Sequence, residues 1–579
     1  MFRENDQHRQ WGMFDTFQQL PERVQKRLED SWAASFYREV FCRIDESPFS
    51  ILYSDQPSRP NIPINVLVGA EMLKAGNGWS DEDLYDELQF NLQVRYALGL
   101  RDINLVPFDL RTLYNFRQRL SRHMQETGEN LLEKVFVQVT DEQLDSLKLK
   151  TGQQRMDSVL ISSNIRQMTR LQLLIEVVQR VWRILTEEDQ AGYAAVFDAY
   201  RQGTAGQYCY RVKGQDLSGH LAAVGQLMFH LVGELEAQYA GQPVYQMLRR
   251  VFAEHFAVEE EGARESGAEQ VRVKVGDELS ACSLQSPDDW EATFREKRGQ
   301  GYRGYIANLA ETCDPTNPIQ LITHIQAGPN LTDDEQMGVR ALPDLKARTD
   351  LRTLWTDGGY TGPTAEAAFR EYQVEHIPTA IRGCHVSPRH LGLSAFAWEF
   401  YEAGNPRIVR CPGRQEVVVR AKSNGRRFLA SFDEAVCQMC PWTDRCPAQP
   451  RKLRPVRVLY ATVRQAQVAQ LRQRSLQTRR PGCNWRSAVE STIRCLTHPF
   501  GGQAGKLPVR GQPRVTQVIF YLALMVNLRR IWHHSHDLAG ESSWNLLSLL
   551  LSGLKCFRLQ FHGQSVRCPT NPCLVPART

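Results

Sequence analysis

The sequence predicts a mixed α/β protein, with a helical region ahead of a mixed sheet and two insertions within it. Three observations predict this. Residues up to about 125 carry helical periodicity. Segments between 301 and 381 run strand, strand, helix, strand, helix, strand, the order of a sheet with helices packed against it. Cysteines and arginines crowd a separate stretch from about 411 to 480.

At the N-terminal end, residues 64–73 are mostly apolar, and Ser80-Asp81-Glu82-Asp83 opens a helix with a capping-box pattern. Residues 91–98 form the next helical segment, closed by Gly99. Asp109 is placed to cap a further helix whose apolar stripe is Leu110, Leu113, Phe116 and Leu120. Its other face shows Arg111, Arg117, Arg119 and Arg122, so a DNA-binding module and a protein-interaction module are both open readings.

Residues 147–162 read as a strand with Asp157 near its middle, and helical spacing returns at 170–185, 217–235 and 245–256. Residues 254–265 form an acidic connector. Residues 301–307 and 319–327 read as strands joined by a turn at 315–318, followed by a helix at 333–345. A short strand at 351–356 runs into Asp357-Gly358-Gly359-Tyr360; a helix at 364–372 and a strand at 376–381 follow. A helix at 485–496 turns Val489, Ile493 and Leu496 inward and sets Arg486, Glu490 and Arg494 on one face.

The bulk properties bound the classes. A chain of 579 residues is expected to form two to four domains. Its longest apolar candidate, residues 546–554, is about half of the ~20 residues that span a bilayer, so no membrane partner is expected. The start, Met1-Phe2-Arg3-Glu4-Asn5, lacks the pattern of a secretory signal, and a cytoplasmic location is the expectation. The net charge of +5 is small, but its distribution is uneven: no Asp or Glu occurs from 445 to 489, where Arg451, Lys452, Arg454 and further arginines accumulate. Such a run suits a polyanion, though a charge run taken alone is more often a solvated basic surface.

Three acids stand out by context. Asp157 lies in a strand, Asp357 ends another at a glycine turn, and Glu490 lies on a helix. Carboxylates gathered from two strands and a helix could hold a pair of Mg²⁺ ions for in-line phosphoryl transfer. Each also has an ordinary use: Asp-Gly is a turn dipeptide, Asp157 could cap, and Glu490 between Arg486 and Arg494 forms a salt-bridge ladder. Cys411, Cys437, Cys440 and Cys446 include a Cys-x-x-Cys knuckle and could form a closed tetrahedral zinc site. Free thiols, or a site in which His385 or His390 replaces a cysteine, would account for the same residues.

Asp157-Ser158, Gly301-Tyr302-Arg303-Gly304-Tyr305, Asp357-Gly358-Gly359-Tyr360 and Arg486-x-x-x-Glu490 occur in the order found in bacterial insertion-sequence DDE transposases. Arg59-Pro60-Asn61-Ile62-Pro63, Ala97-Leu98-Gly99-Leu100 and Thr112-Leu113-Tyr114-Asn115-Phe116-Arg117 resemble the helical N-terminal domain of that group. The chain is most similar to the family numbered eleven-eighty-two, up to about Trp532.

The resemblance implies an RNase H-like fold with Asp157, Asp357 and Glu490 as a Mg²⁺ (or Mn²⁺) triad, and Arg486 as an accessory phosphate contact. It implies an enzyme that binds terminal inverted repeats, hydrolyses a phosphodiester and joins the freed 3′-hydroxyl to target DNA. Its partners would be double-stranded DNA and further copies of the chain in the synaptic complex. Cys483 and Thr497 stand where the related pattern has tyrosine and lysine, with Arg494 the nearby substitute as a DNA contact. That departure keeps a catalytically inactive DNA-binding relative as the competing reading.

The expected organisation is a helical DNA-binding domain at 1–140 and the first part of the catalytic domain at 141–384, with a helical insertion at about 165–260. A cysteine-rich basic insertion follows at 385–480, then the last part of the catalytic domain at 481–540 and a tail at 541–579. The DNA contacts expected are Arg111, Arg117, Arg119, Arg451, Lys452, Arg454 and Arg494.

Overall fold

Among the described residues seven α-helices precede the first strand: α1 (Glu22–Glu29), α2 (Trp32–Glu39), α3 (Ile64–Asn77), α4 (Asp81–Phe90), α5 (Leu92–Ala97), α6 (Leu110–Thr127) and α7 (Leu131–Ser146). The computed structural model describes residues 1–6, 15–54, 56, 59–104, 107–259, 271–379, 381, 389–401, 404–422, 427–478, 487–501 and 506–558. Residues 1–528 form one compact unit and 529–579 a second.

Local chemistry sets the helix ends. The Ser80 hydroxyl accepts from Asp83 N and the Asp83 carboxylate accepts from Ser80 N, closing the capping box at α4. Asp109 caps α6 through Arg111 N, and Leu113, Phe116 and Leu120 are buried as the stripe required. Helix α3 ends at Gly78 with φ +70°, and a Cβ there would stand 2.3 Å from the carbonyl oxygen of Pro499. Only glycine meets both demands.

The strand expected at 147–162 begins later. Helix α7 continues to Ser146, Leu147 caps it, and Lys148 takes φ +51°, so β1 is Gln153–Ser162. The apolar face of α7, with Val135, Phe136, Val139 and Leu144 buried, holds the helix up to Ser146, and residues 147–152 turn the chain into β1. After β1 come α8 (Arg170–Ile184), α9 (Glu187–Arg201), α10 (Ala205–Arg211), α11 (Leu217–Glu234), α12 (Glu236–Tyr239) and α13 (Pro243–His255). They enclose a core of their own, with Leu174, Val178, Phe197, Met228 and Leu248 buried. Strands β2 (Phe256–Val258) and β3 (Val271–Val273) then pair antiparallel where the acidic connector was expected.

The central sheet uses β1 with β4 (Thr293–Lys297), β5 (Gln300–Thr312), β6 (Ile322–Pro329), β7 (Thr353–Thr356) and β8 (Glu375–Pro378). Strands β4 and β6 share one edge of β5, against residues 300–304 and 305–311. Strand β5 runs antiparallel to β1, and β7 and β8 extend the other edge in parallel. Helices α14 (Asp334–Arg348) and α15 (Pro363–Glu371) link these strands. The sheet is therefore mixed, as expected, with β4 an addition that the periodicity did not reveal.

The stretch after β8 contains β9 (Ala397–Phe400), β10 (Pro406–Arg410) and β11 (Glu416–Val418) in one small sheet. A second holds β12 (Arg420–Ala421), β13 (Phe428–Asp433), β14 (Gln449–Arg451) and β15 (Arg454–Ala461) in the order β12-β13-β15-β14. Helix α16 (Glu434–Gln438) lies between β13 and β14, and α17 (Val463–Thr478) follows β15. Helix α18 (Ser487–Thr497) and the start of α19 (Gln512–Arg558) then return to the main core. There Val489, Leu496 and Val515 pack with Leu67, Phe136, Ile161 and Tyr305. The second unit carries the end of α19 through Arg558, so part of the expected tail is helical. Among the described residues no helix is long and apolar enough to cross a membrane.

Candidate active site

Strands β1 and β7 run parallel, with Arg155 paired to Trp355. Asp157 lies two residues further along β1, and Asp357 directly follows the last residue of β7, so both acids lie just beyond the paired stretch. Asp157 is 7% exposed and accepts from Ser158 N at 2.9 Å. Asp357 caps the turn at Gly358–Tyr360, accepting from Gly359 N at 2.7 Å.

A third carboxylate joins them that the sequence did not single out. Asp334, at the start of α14, accepts from the Ser158 hydroxyl at 2.6 Å. A Cβ at Gly359 would lie 2.6 Å from Asp334 Oδ2 and 2.9 Å from Asp357 Oδ1, so glycine leaves the space between these carboxylates open. Burial first, and then the charges of Asp334, Asp157 and Asp357, push the Tyr360 hydroxyl well above its ordinary range. That hydroxyl donates to Asn308 on β5 at 2.5 Å. Asp333-Asp334-Glu335 reads in sequence as the acids of any helix start; only the packing of α14 on β1 distinguishes Asp334.

Behind Asp357, Thr356 donates to its backbone carbonyl at 2.9 Å and meets His376 Nε2 at 2.8 Å. His376 Nδ1 pairs with Glu366 at 3.0 Å, and the ring stacks on Phe369 with centroids 4.1 Å apart. This buried chain fixes the strand end from which the aspartate projects.

Glu490 and Arg494 are exposed on α18, which packs against β1 through its opposite face. That face is anchored by Thr492, whose hydroxyl donates to Glu311 at 2.7 Å; the same carboxylate accepts from Arg155 Nε at 2.6 Å. Glu311 and Thr492 are fully buried and Arg155 is 7% exposed. Arg486 and Cys483 lie outside the described residues. Among the described residues no group of three or more His, Cys, Asp or Glu is already arranged to hold a metal ion.

Of the arginines expected on the open face of α6, Arg111 and Arg119 are exposed, whereas Arg117 is not. Its guanidinium meets Glu71 at 2.6 Å and Asp81 at 2.9 Å. Burial would raise the Asp81 carboxyl, but Arg117 and then Lys74 outweigh it and bring it down to about 2. The expectation that Arg117 contacts DNA is therefore corrected: helical spacing put it on the basic face, and two acids from α3 and α4 drew it inside.

The four cysteines of the 411–446 stretch line one cavity of about 30 Å³, with Gln415, Trp442 and Arg457. Gln415 donates its backbone N–H to Cys411 Sγ and its side-chain amide to Cys437 Sγ, both at 3.3 Å. Burial pushes the Cys411 and Cys437 thiols up. His390 is exposed and does not line this cavity; His385 lies outside the described residues.

Residues 23–119 match the family model of a Transposase domain (DUF772), and residues 410–532 match that of a Transposase DDE domain. Both matches point to a transposase. The first spans α1 to most of α6; the second includes the cysteine cavity, the β14–β15 hairpin and Glu490. Asp157 and Asp357 fall outside both matched stretches, so their place in this transposase-like chain rests on the sheet. No curated protein and no solved structure matches the chain.

Proposed function

We propose that the chain is an insertion-sequence transposase whose RNase H-like sheet carries Asp157 and Asp357, with Glu490 supplied by α18. The observation that carries this reading is that β1, which bears Asp157, runs parallel to β7, which leads directly into Asp357, and that both carboxylates act on the same buried Tyr360 hydroxyl. The mixed sheet and the two transposase matches support it. Its substrates would be duplex DNA at the element ends and at the target, and joining two ends would require more than one copy.

The donor set fits Mg²⁺ or Mn²⁺. Both aspartates offer hard oxygen ligands, and Mg²⁺ is commonly held by one or two carboxylates completed by phosphate oxygens and water. Ions held there would activate the attacking oxygen and stabilise the leaving one. The chain's own part is positioning: Ser158 and Asp334 brace the middle of β1, Thr356 and His376 brace the β7 end, and Thr492 holds α18 on the sheet. Arg494, Arg111, Arg119 and the basic hairpin would bind phosphates, with Arg486 as a further contact. Cys411, Cys437, Cys440 and Cys446 line one cavity without being arranged to hold an ion there, and on drawing together they would supply the four thiolates of a closed structural Zn²⁺ site.

A second reading, an inactive DNA-binding relative, is favoured by one observation: Cys483 and Thr497 stand where the related pattern has tyrosine and lysine. Cleavage of an end-labelled duplex from the DNA bordering the gene separates the two. Wild type should release a 3′-hydroxyl end with Mg²⁺, and Asp157→Ala, Asp357→Ala and Glu490→Ala should bind without cutting. A wild type that binds yet never cuts, with Mg²⁺ or Mn²⁺, would sink the catalytic reading; an alanine variant that still cuts removes that acid from the triad.

A further inference from the structure

The β14–β15 hairpin ends in a two-residue turn, Lys452-Leu453, closed by the facing pair Arg451 and Arg454. Leu453 is 95% exposed. Arg451, Lys452 and Arg454 are exposed too, and neither Lys452 nor Arg454 has an ion-pair partner among the described residues. The outer face of the same sheet continues the charge. Arg420 faces Leu429, which faces Tyr460; Lys422 Nζ lies 5.3 Å from the Tyr460 ring, and Arg451 donates to the Tyr460 hydroxyl at 3.0 Å. No Asp or Glu occurs between 445 and 489, and the acid that the register puts on this face is Asp433, opposite Val456.

Tight turns favour Gly, Asn and Asp, which solvate well and tolerate the backbone; a leucine at the tip has no such local reason. Its surroundings select what would cover it. An apolar tip between cations complements a surface with anionic rails and an apolar floor. A DNA groove is such a surface, with phosphates on both walls and stacked bases between them. A two-stranded ribbon fits the major groove, and minor-groove proteins insert leucine-like wedges between base steps. A second copy of the same face would instead set Arg420, Lys422, Arg451, Lys452 and Arg454 against their own like charges.

We propose that this hairpin enters a DNA groove, with Leu453 wedged into the base stack and Arg451, Lys452 and Arg454 on the flanking phosphates. The inference rests on the transposase reading and adds to it a residue that opens the stack.

The test uses the full chain and duplexes from the DNA bordering the gene, with 2-aminopurine at successive steps; its fluorescence rises when the base unstacks. Wild type should raise the signal at one step, and Leu453→Met should keep it. Leu453→Ala should abolish most of it while folding as wild type. The combined Arg451→Ala, Lys452→Ala, Arg454→Ala variant should lower the slope of log affinity against log salt by about three, one counterion per lost phosphate contact.

An unchanged signal with Leu453→Ala, or an unchanged salt slope in the triple variant, overturns the proposal. So does a Leu453→Ala variant that loses self-association in sedimentation but not the fluorescence change, which would give the tip to a protein contact. If wild type cuts DNA regardless of these residues, only the hairpin assignment falls. If wild type binds no duplex at all, the transposase reading falls with it.

Discussion

Thr492, two residues beyond Glu490 on α18, donates its hydroxyl to the fully buried carboxylate of Glu311 on β5 at 2.7 Å. Arg155 on β1 completes the contact. The helix that presents Glu490 is thus tied to the two strands beside the aspartates, and its height over the sheet is set by a polar contact as well as by Val489 and Leu496.

Thr492→Val keeps the shape and deletes this donor. Unfolding should become easier by about 1–3 kcal/mol, the range for stripping a buried group of a hydrogen bond, and Thr492→Ser should recover most of it. If α18 positions Glu490 as proposed, kcat for DNA cleavage should fall in the valine variant with DNA affinity unchanged. Equal losses in the serine and valine variants would assign Thr492 to packing alone.

Arg117 and its neighbours on α6 should separate cleanly. Arg117→Ala removes the guanidinium that bonds both Glu71 and Asp81, so stability should drop by about 3 kcal/mol or more, read by urea unfolding. Arg111→Ala and Arg119→Ala should stay within about 0.5 kcal/mol of wild type, as exposed substitutions do, and instead weaken duplex binding.

The same cluster makes an acid-range prediction. Asp81 titrates at about 2 in the fold, below the ~3.9 of an unfolded chain. Its pairing therefore contributes fully above about pH 4 and is lost as pH falls through about 2. Asp81→Asn should flatten that part of the unfolding profile, and a profile identical to wild type would contradict the assignment.

His255, at the end of α13, is buried with neither ring nitrogen hydrogen-bonded. Burial, and then the charges of Arg170 and Lys274, bring it down to about 4. An unfolded histidine protonates near ~6.5, so protons favour the unfolded insertion: stability is complete above about pH 6.5 and declines toward about pH 4. The protection of residues 170–255 against hydrogen exchange, taken relative to the intrinsic exchange rate at each pH, should therefore fall across that window, and His255→Leu should remove the fall.

Purified protein should contain one zinc per chain if the four cysteines bind as proposed. Cys437→Ser and Cys440→Ser should each abolish it in elemental analysis and loosen the β12–β15 sheet to proteolysis. Full zinc content in both variants would place the metal elsewhere.

Much of the scaffold was legible because its signals are local. The capping box at Ser80, the stripe of α6, the start of α14 at Asp333 and the strand before Asp357 each depend on residues within a turn or two. The boundary at 147 was misread because apolar residues continuing from α7 look alike in a helix end and a strand start. Strand β4 went unseen because Thr293–Lys297 is polar and owes its state to pairing with β5.

The candidate site divides the same way. Asp157 and Asp357 could be named from their neighbours in the chain, and Arg117 was named wrongly by the same reasoning. Periodicity assigns a side chain to a face but not to a partner, and Glu71 lies 46 residues from Arg117. By itself the sequence determined the helical start, the mixed sheet, the acids worth watching and the cysteine-rich basic stretch, since each follows from spacing and composition. Only the tertiary structure decided that Asp157, Asp334 and Asp357 all act on Tyr360 and that Arg117 turns inward. The physical reason is that a charge is placed by whatever surrounds it in three dimensions, and here those surroundings come from segments far apart in the chain.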